Sequence, residues 1–99
     1  MSEILTEVRQ YLNITWDDWA LDKKLNGFIE RGKARLQKIA GAPLDFRDED
    51  LPKALLLDYC RYAYSQALEV FEVNFEAELI SLRYDYGGVA SGDQNADEV

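Results

Sequence analysis

After Pro52 the chain runs to Tyr84 without a glycine or another proline. At about 1.5 Å per residue, an unbroken helix from Leu51 to Tyr84 extends on the order of 50 Å. A compact domain of about 100 residues has a radius of gyration near 13 Å, hence a diameter of roughly 35 Å. The helix must therefore break or project. Val70, Val73 and the neighbouring aromatics are its weakest helix formers, which places a kink near Asn74. The periodicity assigns Leu56, Tyr59, Cys60, Ala63, Ala67, Val70 and Phe71 to the core side. That leaves Tyr62, Tyr64, Phe75, Leu79, Leu82, Tyr84 and Tyr86 on other faces, and a helix apolar on more than one side calls for burial against other subunits. Tyrosine suits such a place, because its ring buries while its hydroxyl stays paired.

Two helices precede it. Ser2 caps a short first helix in which Ile4, Leu5, Val8, Tyr11 and Leu12 recur at helical spacing, and the pattern stops at "NIT". In "TWDDWALDKKL" Asp17 is expected as N-cap, Asp18 favours the positive end of the dipole, and Trp16 is placed to staple against Leu21. From about 18 to 40, Leu21, Leu25, Phe28, Ile29, Gly32, Leu36 and Ile39 form one stripe, closed by Gly41 as a C-cap glycine. Gly32 lies on that stripe, where a missing side chain lets another backbone come close. "GAPLDFRDED" is a loop, and Asp50 or Leu51 then caps the third helix with Pro52 in its first turn. The expected fold is all-α: a small bundle of about three main helices with a long C-terminal helix over 1–88, then a flexible acidic tail over 89–99. No internal repeat is visible.

Ninety-nine residues suffice for one domain and one core. With 19 acidic against 11 basic residues the net charge is -8, a balance that repels phosphate backbones and argues against a duplex-DNA reader. A single cysteine forms no internal disulfide, and the opening "MSEILTEVRQ" lacks the basic start and apolar run of a secretory signal, so an intracellular, soluble protein is expected. No apolar stretch approaches the roughly 20 residues that cross a bilayer.

Histidine is absent, which removes the usual general base and the commonest transition-metal ligand. Cys60 stands at helical spacing from Leu56, Ala63 and Ala67 and reads as a small buried apolar residue. The acidic loop of Asp45, Asp48, Glu49 and Asp50 lacks the alternating oxygens and central glycine of a calcium loop. No catalytic residue, cofactor or metal is expected, and the chain is read as non-enzymatic.

Charge is divided along the chain. Residues 23–38 hold six basic side chains against Glu30, a net of +5, whereas residues 69–99 hold eight acidic ones against Arg83, a net of -7. Lys24, Arg31, Arg35 and Lys38 share one helical stripe, as do Glu69, Glu72 and Glu76. Two such surfaces on different parts of one chain can pair between copies, and a contact of this heterologous kind closes into a ring when its rotation permits. Tyr62, Phe75 and Tyr84 are expected to join Glu69, Glu72 and Glu76 on the acidic, aromatic side of that contact.

"EVRQYLNI", "DDWALDKKLNGFIERGKARLQKIAG" and "LPKALLLDYCRYAYSQALEVFEVNFEAELISLRYDYG" together resemble the small head-tail connector proteins of tailed phages, also called adaptor or head completion proteins. The resemblance spans residues 4–87 and is most specific in "CRYAYSQALEVFEVNFEAELISLRYDYG". It implies an α-helical, non-enzymatic subunit made in the host cytoplasm and assembled as a ring, twelvefold in this family, at the head-tail junction of the virion. Its implied partners are the portal on one side and a stopper or tail protein on the other, with DNA only passing through the channel and no membrane involved. An acidic lumen suits such a conduit, since a repulsive wall lets a polyanion slide. The alternative reading, of a different class, is a small acidic regulator that binds a DNA-binding protein by mimicking phosphate spacing.

Overall fold

The computed structural model describes residues 3–88, and the expected tail over 89–99 lies outside the described residues. Among these residues the chain is helical without strands: α1 (Glu3–Tyr11), α2 (Trp19–Ala40), α3 (Leu51–Tyr64), a 3-10 turn (Leu68–Val70), α4 (Phe71–Asn74), α5 (Glu76–Leu82) and a final π-helical turn (Arg83–Gly88). The body measures 51 × 26 × 19 Å.

Helix α1 buries Leu5 and Val8 and ends at Asn13, whose φ of 60° places it in the left-handed region that Asn tolerates at a helix C-terminus. Ile14, one residue on, then drops into the core. Helix α2 is capped by Asp18, not Asp17: the Asp18 carboxylate accepts the Leu21 N–H at 3.2 Å. Trp16, expected to staple against Leu21, is half exposed. At the other end Gly41, at φ 76°, donates its N–H to the Gln37 carbonyl.

Helices α2 and α3 form the main packing pair. Gly32 is buried between them, and a Cβ built there comes within 2.7 Å of Leu56 Cδ1 and 2.8 Å of Tyr59 Cδ1. The glycine is the contact point that its position on the apolar stripe predicts. Asp50 caps α3 and Pro52 occupies its first turn, where the missing N–H costs nothing.

The long helix expected beyond Leu51 does not run through. It stops at Tyr64, where Gln66 takes a φ of 58° and the Ala67 N–H reaches back to the Tyr62 carbonyl at 2.8 Å. This is the left-handed helix ending usually supplied by glycine. A milder irregularity follows at Phe75, between α4 and α5, one residue from the expected kink. The turn sends the chain back over α2 and α3, which changes the core assignment: Leu79 and Leu82 are buried, while Val70 is 42% exposed. The final turn is held by Tyr86, whose hydroxyl donates to Asp50 Oδ2 at 2.8 Å, and by Gly87, which abuts the Ala40 carbonyl so closely that any Cβ would collide with it.

One buried charge ties the first half together. Lys53 is 4% exposed, and its ammonium pairs with Glu7 of α1 at 2.5 Å and with Glu49 at 2.7 Å. Both carboxylates hold its pKa above the ordinary lysine value, Glu49 contributing most, so the site keeps its charge and stays neutralised.

Candidate interaction surface

Helix α2 turns Leu25, Phe28, Ile29, Gly32 and Leu36 inward, so residues about a quarter of a turn away form one exposed flank. Lys24, Arg31, Arg35 and Lys38 lie there, all exposed. Two of these cations are anchored on a ring: Lys24 Nζ and the Arg31 guanidinium stand 6.0 and 5.6 Å from the Phe28 centroid. Such contacts localise a charge without neutralising it.

Arg35 differs. The sequence reading sets it across a subunit boundary from Glu72, but the two meet within one chain in a forked pair, Nε to Oε2 at 2.6 Å and Nη2 to Oε1 at 2.9 Å. The fork matches guanidinium and carboxylate geometry, and it fastens α4 to the flank of α2. The Arg35 hydrogen bonds hold the Glu72 carboxyl below its usual range, with partial burial opposing them. A carboxylate whose folded pKa is depressed stabilises the fold above its unfolded value, and this contribution is lost as pH falls through the folded value. Glu72 is 45% exposed, so the expected effect is about 0.2–1 kcal/mol. Glu72→Gln should lower the denaturation midpoint at pH 7 by that modest amount and leave it unchanged near pH 2, where the parent has lost the same contribution; equal losses at both pH values would show that the pair adds nothing.

The acidic and aromatic residues separate into two groups. Tyr62 and Phe75 are half-buried in an aromatic cluster around Phe71, with Tyr62 edge-on to Phe71 and Phe75 at 5.6 and 5.5 Å and its hydroxyl accepting from Asn74 Nδ2 at 3.0 Å. Much of their surface is therefore spent within the chain. Glu69, Glu76 and Tyr84 are exposed, Tyr84 to 73%. Beside them stand Val73, 73% exposed, and Ile80, 62% exposed, two residues that sequence reasoning did not single out for the surface. Their spacing with Ala77 and Tyr84 carries the signal, a second apolar stripe opposite Phe71, Leu79 and Leu82. Between this ridge and Ile39 of α2 runs an open groove of about 380 Å³, edged by Glu72, Glu76 and Arg83.

Cys60 is buried and its thiol is pushed up to about 12 by that burial, which keeps it protonated at neutral pH. Among the described residues no helix is long and apolar enough to cross a membrane. Comparison with protein-family models, with curated proteins and with solved structures finds no match to this chain.

Proposed function

We propose that the chain is the subunit of a ring-shaped head-tail connector of a tailed phage, seated between the portal and the stopper or tail, where it helps to retain and conduct packaged DNA. The sequence resemblance over residues 4–87 supplies the identity of the assembly. The observation that carries the subunit role is the double-sided apolar character of the segment after Gln66: Phe71, Leu79 and Leu82 face the core while Val73 and Ile80 stand in solvent. In this reading α1, α2 and α3 are the three main helices of the subunit body, and residues 68–88 are an arm that carries the contact with neighbours. A phosphate mimic is less well served by this surface, because an apolar ridge beside the carboxylates interferes with the charge spacing a DNA-binding partner reads.

Sedimentation velocity of the full chain, alone and with a purified portal ring, tests the proposal. The expected result is a closed oligomer, formed either at high concentration or on the portal as template. A chain that stays monomeric in both conditions, and instead binds a nuclease or repressor in competition with duplex DNA, would establish the mimic in its place.

A further inference from the structure

We infer that the Val73–Ile80 ridge of one copy packs against the Lys24, Arg31 and Lys38 row of α2 in the next. The inference rests on the self-assembling reading above and names the two surfaces it needs. The ridge is an exposed apolar surface running over α4, α5 and the final turn: Val73, Ile80 and Tyr84 are 73, 62 and 73% exposed. A segment apolar on both sides is stable when both sides are covered, and among the described residues the fold covers the side bearing Phe71, Leu79 and Leu82 and leaves the other exposed.

Charge identifies the cover as a second copy. Near the ridge in sequence stand the exposed carboxylates Glu69 and Glu76, and along the exposed flank of α2 stand the exposed cations Lys24, Arg31 and Lys38. The three cations recur every seven residues along α2, a step of about 10.5 Å, and form a continuous positive row that the two carboxylates, of opposite charge, can face. The positions between the cations, Gly27 and Ala34, carry almost no side chain to obstruct the ridge. Arg31 lies over Gly27, its guanidinium 3.3 Å from where a Cβ would stand, and it is the flexible end of this side chain that must swing aside. Arg35 and Glu72 take no part, because each already holds the other within the chain. Since the two surfaces differ, the contact is heterologous and repeats from copy to copy.

Single cysteines test the geometry in the full-length chain, with Cys60 left in place because it is buried and protonated. Ala34→Cys and Ile80→Cys proteins, mixed and oxidised, should form a mixed disulfide, and a chain carrying both changes should give a ladder of covalent oligomers. Ala34→Trp, on an exposed position, should weaken self-association at least tenfold without altering the helical spectrum or the melt of the monomer. Assembly that tolerates Ala34→Trp, or bridges only between two Ile80→Cys chains, would overturn the inference and leave the self-assembling reading intact. A parent chain that never associates, on the portal or off it, overturns both. Cross-linking as expected with no affinity for a portal retains the interface and removes the connector assignment.

Discussion

Phe71→Ala is expected to cost about 3–5 kcal/mol, the range for deleting a fully buried aromatic ring. Phe71 is 1% exposed and is the largest of the fully buried side chains. Its ring meets Tyr59 edge-on at 5.5 Å, Tyr62 edge-on at 5.6 Å and Phe75 in a stacked arrangement at 5.1 Å. Tyr59 and Tyr62 belong to α3, so this ring is the bolt between the returning segment and the body. A domain of this size has about 5–15 kcal/mol of stability in all, and the variant spends a large part of it. Because the loss falls on residues 68–88, the damage should also be uneven. Trp16, in the connection between α1 and α2, and Trp19, the first residue of α2, report on that end of the molecule, whereas circular dichroism reports on every helix. Urea titrations of the parent should superimpose by the two probes; those of Phe71→Ala should separate, with helix lost before the tryptophan signal. A loss under about 1 kcal/mol, or coincident transitions, would mean that the segment is not held through this ring.

The point at which the chain reverses is also the point at which its sequence was least informative. Helix α2 was legible because each of its signals has a local cause: an apolar stripe, a capping aspartate within one residue, and Gly41 where a left-handed residue closes the helix. The end of α3 uses the same left-handed device, but the residue that adopts it is Gln66, which carries no such signature. Everything downstream inherits that omission. Leu79 and Leu82 were assigned to outer faces because a straight helix would have carried them there, and they are core because the turn brings them back. The division of charge between residues 23–38 and 69–99 was legible as composition, yet the fork between Arg35 and Glu72 exists only once the chain has doubled over. Lys53 was missed for a related reason. Lysine is seldom buried unless paired, and one of its partners, Glu7, is brought in from α1 by tertiary packing. The exposed ridge of Val73 and Ile80 was readable in principle, as a second stripe on a helix whose first stripe already fills the core.

Gly32→Leu is the substitution that most directly tests the packing of α2 on α3, and the structure raises its expected cost to the upper part of the overpacking range, about 3 kcal/mol. Local preference points the other way, since leucine is favoured over glycine in a helix interior by roughly 0.5–1 kcal/mol. Sterics decide the sign: even the first added carbon falls 2.7 Å from Leu56 Cδ1 and 2.8 Å from Tyr59 Cδ1, before any of the remaining leucine atoms is placed. Leu56 is fully buried and Tyr59 nearly so, with Tyr59 also braced against Phe71, so neither side chain has free space into which to retreat. The helices must instead separate. Gly32→Ala isolates the first carbon and should cost less, about 1–2 kcal/mol, because a shift of a few tenths of an ångström relieves most of its contact. A control at Ala34, also on α2 but exposed, should move the melting point little when replaced by leucine. Thermal melts of the three variants therefore order as Ala34→Leu, Gly32→Ala, Gly32→Leu from most to least stable. A Gly32→Leu protein that melts at or above the parent would show that propensity outweighs contact at this position, and with it that α2 and α3 do not meet along the line on which the rest of the fold is hung.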